Sequence, residues 1–259
     1  MSRIYRYEKL EYLENMLWTK TLTFILPYFW DDAREGFLFR AAFSDKGLLE
    51  VARLIDQMFG PAIAPWGGRF LAETLRIFMM NHYGQCWSRS RSSPSLWQGK
   101  DLRFEIDRDD VARLPGVKDR DMLYADDIGL VESLRRLVQI ENGSLRTDYS
   151  CIFTVKHRDF ASEEEVRLLS EVPENVNRSN GVHWLLAEIV LERDRSGRLP
   201  TQEVLDTLDP IMPRFQRIPF GHIDGFIKSV IVHPGAPIQV VSHVKALCEE
   251  HSLPYQGTV

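Results

Sequence analysis

Apolar and polar positions alternate at Ile4-Tyr5-Arg6-Tyr7, which predicts an opening strand. Leu10, Leu13 and Leu17 then recur at helical spacing, predicting a helix over Glu8 to Thr19. Leu22 to Leu26 reads as a strand ended by Pro27. A loop from Tyr28 to Gly36 mixes aromatic rings with Asp31, Asp32 and Glu35, an unusual content for a connector. Leu48, Val51, Ala52, Ile55, Met58 and Phe59 form one helical stripe, stopped by Gly60-Pro61. A second helix is predicted from about Arg69 to Tyr83, closing at Gly84. Gln85 to Trp97 is basic and serine-rich, a composition typical of an exposed loop, here bracketed by Trp87 and Trp97.

Leu102, Phe104 and Ile106 alternate with Arg103 and Glu105 as in a half-buried strand. A helical turn over Asp107 to Leu114 and a short strand at Met122-Leu123-Tyr124 follow. Leu130, Leu134, Leu137 and Val138 mark a helix closed by Asn142-Gly143. Trp184 to Leu191 is apolar and fits strand or buried helix equally, and Thr201 to Leu208 is a short helix candidate. Phe226 to Val232 reads as a strand, and Val240, Val244, Leu247 and Cys248 as a closing helix. Helices and short strands are mixed without a regular βαβ alternation. The expectation is an α+β fold, residues 1–259 in a single domain, with a mixed, mainly antiparallel sheet flanked by helices.

Composition narrows the function classes. A net charge of −5 argues against a bulk polyanion binder, though not against a local basic groove. No stretch approaches the ~18 apolar residues of a membrane span, and the opening residues lack a signal-peptide core, so the expectation is a cytoplasmic protein with no membrane partner. Cys86, Cys151 and Cys248 show no metal spacing, and the histidines form no HxxxH or HExxH pair, so no metal is expected. The glycine motifs of dinucleotide folds, P-loops and nucleophile elbows are absent. Oligomeric state is not legible.

Charge is densest from Lys156 to Arg167. Two readings of Ser162 to Arg167 compete. In one, Ser162 and Glu165 form a capping box at a helix start. In the other, the stretch is a strand, with Glu163, Glu165 and Arg167 on one face. Carboxylates that close repel unless cations balance them, and Lys156 and Arg167 are nearby in sequence.

Several segments together carry a resemblance. Ile4-Tyr5-Arg6-Tyr7, then Trp30-Asp31-Asp32-Ala33-Arg34-Glu35, then Cys86-Trp87-Ser88 with Trp97, occur in order. They are followed by Lys156, Phe160, Glu163, Glu165 and Arg167, and by Val230 to Pro237. This succession resembles the bacterial domain of unknown function 2971 family, with its Asn-Asp-Pro box and its Lys-x3-Trp-x2-Glu-x-Glu-x-Arg segment. Here Asp31 and Ala33 replace the Asn and Pro of the box, Phe160 replaces the central Trp, and Ile25 and Leu26 stand where small polar residues are usual. The alternating Glu-x-Glu-x-Arg of that family favours the strand reading.

An Arg-bearing first strand and a later Glu-x-Glu strand are also similar, at the level of fold, to ADP-ribosyltransferases. That likeness implies an NAD-using enzyme, with bacterial stress or phage defence as a setting. Arg6 would hold a diphosphate, Glu165 would stabilise positive charge on the ribose, and Glu163 would act as acceptor base. Tyr28 is the nearest match to that layout's middle-strand residue. Asp32, Trp87, Ser88, Lys156 and Arg167 complete the expected nucleotide-binding set. Two alternatives stand beside it. Trp87 to Trp97 with Arg89, Arg91, Lys156, His157 and Arg158 could bind or modify nucleic acid, against the net charge. The chain could equally be a non-catalytic interaction module whose charged cluster is a structural ion-pair ladder.

Overall fold

A computed structural model describes residues 2–27, 30, 45–63, 67–80, 82–126, 129, 132–136, 138–141, 144–147, 152–171 and 214–258. The architecture is α+β. Among the described residues, nine strands form one mixed, mainly antiparallel sheet. Its frame comprises β1 (Arg3–Glu8), helix α1 (Leu10–Thr19), β2 (Thr21–Ile25), helices α2 (Asp45–Phe59) and α3 (Gly67–Met80), β3 (His82–Ser88), β4 (Leu102–Asp107) and β5 (Val117–Asp121). Strands β6 (Leu123–Ala125), β7 (Val138–Glu141), β8 (Ser144–Thr147), β9 (Val155–His157), β10 (Glu165–Glu171), β11 (Phe215–Pro219) and β12 (Ile227–Val232) follow, then helix α4 (Ile238–Glu250) and β13 (Tyr255–Thr258). Strands β6 with β9, and β7 with β8, form separate two-stranded ribbons.

Strand β3 is the junction of the large sheet. Along one edge it pairs with β10 from Ser88↔Glu165 to His82↔Glu171. Its other edge is shared. Strand β1 meets it only at Tyr5↔Ser88, and β2 only at Ile25↔Gly84. From these contacts the sheet forks. One arm runs β1-β4-β12-β13, and the other runs β2-β11. Side chains bridge the fork where the ladder stops. The Arg6 guanidinium donates to the Cys86 carbonyl at 2.8 Å, and the Gln85 amide donates to the Thr23 carbonyl at 3.1 Å. This meets the requirement that buried backbone acceptors find partners.

The core lies between the sheet and helices α1 and α4. Leu13, Met16 and Leu17 of α1, and Val244 and Cys248 of α4, pack with Phe104, Trp87, Val166 and Val230. The periodic elements form as their spacing predicts: α1, β1, β2, β4, β12 and α4 all occur. Three expectations are corrected. The second helix stops at Met80, and its expected last turn and the following loop contribute to β3 instead. Strand β3 is central and buried on both faces, so it shows no alternation and its polar residues bond internally. The helix expected through Val138 is shorter: Gly129 and Glu132 are helical, Ser133–Arg136 is a 3-10 turn, and Val138 already belongs to β7, which pairs with β8 from Val138↔Thr147 to Glu141↔Ser144. Asn142-Gly143, the expected helix stop, lies outside the described residues. The strand reading of 162–167 holds only from Glu165 onward, because Arg158–Glu163 is a 3-10 turn and Glu164 sits in the left-handed region at φ 44°. Ser162 is exposed and caps no helix. Trp184 to Leu191 and Thr201 to Leu208 lie outside the described residues.

Candidate functional site

The fork between β1 and β3 opens a cleft of about 210 Å³. It is lined by β1, by Cys86, Trp87 and Ser88 of β3, by Leu96 and Lys100, and by Lys156, Glu163 and Glu165. Residues more than 150 positions apart in sequence reach it because β10 lies along β3 in a register that sets Glu165 beside Ser88.

An ion cluster forms its floor. Lys156 Nζ lies 2.8 Å from Glu163 Oε2 and 2.9 Å from Glu165 Oε2. Arg167 Nε donates to the other Glu165 oxygen at 2.6 Å, and Arg167 Nη1 donates to the Phe153 carbonyl at 2.9 Å. The Lys156 ammonium also sits 4.6 Å from the centre of the Phe160 ring. Behind the floor, the Trp30 ring covers the Arg167 guanidinium at 4.3 Å. Trp30 packs so closely on Gly84 that a Cβ there would meet the indole ring, with Cη2 at 3.1 Å.

Burial alone would raise the Glu165 carboxyl. The adjacent Arg167 and Lys156 charges outweigh it and hold Glu165 at about 2, so it is ionised at neutral pH. Glu163 is the more open carboxylate, with a side chain 20% exposed against 3% for Glu165. The backbone also holds the pair in place. Glu165 N–H donates to the Tyr124 hydroxyl at 2.6 Å, and the Ser88 hydroxyl donates to the Glu163 carbonyl at 2.5 Å. Burial raises the Tyr124 hydroxyl above its ordinary value, so Tyr124 stays protonated near neutrality.

On the opposite wall, Arg6 is stacked over Tyr12 at 5.0 Å, and its Nη2 lies 2.5 Å from Glu8 Oε1. Burial would raise Glu8, and the Arg6 and Lys100 charges overcome it, holding Glu8 below the usual carboxylate range.

Six of the eight expected site residues, namely Arg6, Trp87, Ser88, Lys156, Glu163 and Glu165, line the cleft. Arg167 stands behind Glu165, 1% exposed, and reaches the cleft only through that carboxylate. Asp32 and Tyr28 lie outside the described residues. Glu163 precedes β10, so the expected shared strand face is replaced by convergence on Lys156. Trp87 is buried, with its indole N–H on Gln85 at 2.8 Å, and Trp97 meets Tyr7 and His233 edge-on. Arg89 pairs with Asp121. These contacts place both indoles in packing roles.

Sequence reading missed Tyr5, Tyr7, Glu8, Cys86, Tyr124 and Lys100 as neighbours of the site. Tyr5 and Tyr7 belong to the opening segment and Cys86 to the Cys-Trp-Ser block, so a signal existed for these three. Glu8, Lys100 and Tyr124 carry none. Among the described residues no group of His, Cys, Asp and Glu is arranged to hold a metal, and no helix is long and apolar enough to cross a membrane. Compared with known proteins, the chain matches no family model, no curated protein and no solved structure.

Proposed function

We propose that the chain is an ADP-ribosyltransferase-like enzyme that uses NAD at the cleft of the forked sheet. The observation that carries this reading is the convergence of Glu163 and Glu165 with Arg6 on one cleft, from opposite ends of the chain. Glu165, kept ionised by Arg167 and Lys156, supplies a fixed negative charge in a low-dielectric floor, where it favours developing positive charge. Glu163, more open and bonded to the same lysine, is placed to accept a proton from an incoming nucleophile. NAD would supply the electrophilic ribose carbon. The cleft is smaller than the ~300 Å³ at which ordinary ligand pockets begin, so it suits the nicotinamide-ribose half and leaves the remaining half outside.

Titration calorimetry of the purified chain with NAD tests this reading. Heat of binding at a single site is expected, reduced when Cys86, which lines the cleft, is alkylated. Absence of binding at millimolar NAD removes the proposal.

One observation favours a second reading. Both Glu165 oxygens already face cations inside a buried cluster, the pattern of a structural ion-pair network. In that reading the chain is a non-catalytic interaction module, and Glu163→Gln alters neither NAD binding nor any turnover.

A further inference from the structure

Three charged groups meet on the wall of the cleft, away from its floor. Glu8 Oε1 takes Arg6 Nη2 at 2.5 Å, while Glu8 Oε2 faces Lys100 Nζ at 3.5 Å. All three line the cleft. A carboxylate beside arginine ordinarily takes two parallel N–H bonds from the guanidinium fork. Here the second oxygen turns towards Lys100, and Arg6 Nε is buried without a hydrogen-bond partner among the described residues. A buried donor left unmade carries a desolvation penalty. The arrangement therefore has two cations against one carboxylate, and Arg6 keeps a further guanidinium donor unbonded. A phosphate, with more oxygens and more charge, matches that set better than a carboxylate does.

We propose that Arg6 and Lys100 form a phosphate subsite of the cleft. Glu8 occupies this subsite as an internal stand-in until a phosphate or diphosphate group displaces it. The proposal rests on the reading of Arg6 as the diphosphate anchor and adds Lys100 as its partner and Glu8 as a built-in competitor. Glu8 is ionised at neutral pH, so the competition operates under ordinary conditions. Affinity for a phosphate ligand is then lowered in proportion to the fraction of molecules in which Glu8 holds the subsite.

The test compares wild type, Glu8→Gln and Lys100→Gln by calorimetry at low ionic strength. The titrants are inorganic pyrophosphate, NAD and nicotinamide riboside, which lacks phosphate. Removing the competitor is expected to tighten pyrophosphate binding about tenfold. Lys100→Gln is expected to weaken pyrophosphate and NAD several-fold and to leave nicotinamide riboside unchanged. Lys100 is a partly exposed side chain, so its variant remains informative if Glu8→Gln fails to fold. Pyrophosphate affinities equal in wild type and Lys100→Gln overturn the subsite, and so does a folded Glu8→Gln that binds no tighter. If pyrophosphate behaves as expected while NAD and nicotinamide riboside do not bind, the subsite stands and the NAD reading falls. If NAD binds equally well to all three proteins, the NAD reading stands and the subsite falls.

Discussion

Glu165 sits where two requirements coincide. It neutralises Lys156 and Arg167 inside the protein, and it presents an ionised carboxylate to a cleft. Truncating one member of a buried charge set leaves the others uncompensated. Glu165→Gln is therefore expected to lose about 3–5 kcal/mol of stability in denaturant unfolding. Loss of activity in that variant would not separate chemistry from folding. Glu163 separates them, because its side chain is more open and Lys156 keeps Glu165 when Glu163 is changed. Glu163→Gln is expected to cost less than Glu165→Gln, about 1–2 kcal/mol, because Lys156 still faces Glu165 and the amide oxygen can still accept from it. The pH dependence follows from the Glu165 shift. Its carboxyl is depressed in the folded protein to about 2, so the stability it contributes is complete above its unfolded value, about 4.3, and is lost as pH falls towards 2. Thermal unfolding between pH 5 and pH 2 should show that loss, and it should shrink in Glu165→Gln. An unchanged slope in the variant would place the acid-sensitive group elsewhere.

Among the elements, β3 and its contacts decide the geometry of the cleft. Gly84 lets the Trp30 indole lie against the strand and over Arg167. Gly84→Ala would push the indole away from both. A cost of about 1–3 kcal/mol is expected, measured as a drop in denaturant midpoint at unchanged m-value. A midpoint equal to wild type would show that Trp30 does not bear on Gly84 in solution. The same strand shows how far the sequence was readable. Helix α1 buries one face, and strand β4, though buried on both, alternates Leu102, Phe104 and Ile106 with charged residues, so each leaves a period in the sequence and its position was legible. Strand β3 is buried on both faces and carries His82, Gln85 and Ser88, with Gln85 and Ser88 hydrogen-bonded internally. Its periodicity was therefore invisible and its polar content read as a loop. Among the described residues strand β5 is the edge beyond β10, and its Lys118-Asp119-Arg120-Asp121 run carries no apolar alternation from which a strand could be read. Those charges blunt an exposed edge, and Arg108 pairs with Asp119 and Asp121. The Glu-x-Glu-x-Arg spacing located β10, but it did not show that Glu164 would turn into the left-handed region and set Glu163 on a 3-10 turn. That turn depends on Tyr124 and Ser88, two hydrogen-bond partners remote in sequence.

At the scale of the molecule, the fork brings the N-terminal strand and the Glu163–Glu165 segment to one strand. Strands β1 and β2 leave different points on one edge of β3, while β10 brings the Glu163–Glu165 segment along the other. A sheet that closed fully between β1 and β3 would pair the backbone that the Arg6 guanidinium now bridges. The divergence of β1 from β3 beyond Tyr5↔Ser88 thus leaves a cleft with a carboxylate floor and a cationic wall. The tyrosines of β1 line the same space, giving it apolar surface beside its charges. That combination fits a small polar ligand with an aromatic part better than an extended polymer. The most direct measurement is chromatographic detection of nicotinamide released from NAD by wild type and by Glu163→Gln, with matched unfolding curves confirming that both are folded. Release by wild type and a loss of about 100-fold or more in the variant are expected. Equal release by the two proteins, or none from a folded wild type, would contradict the proposed chemistry.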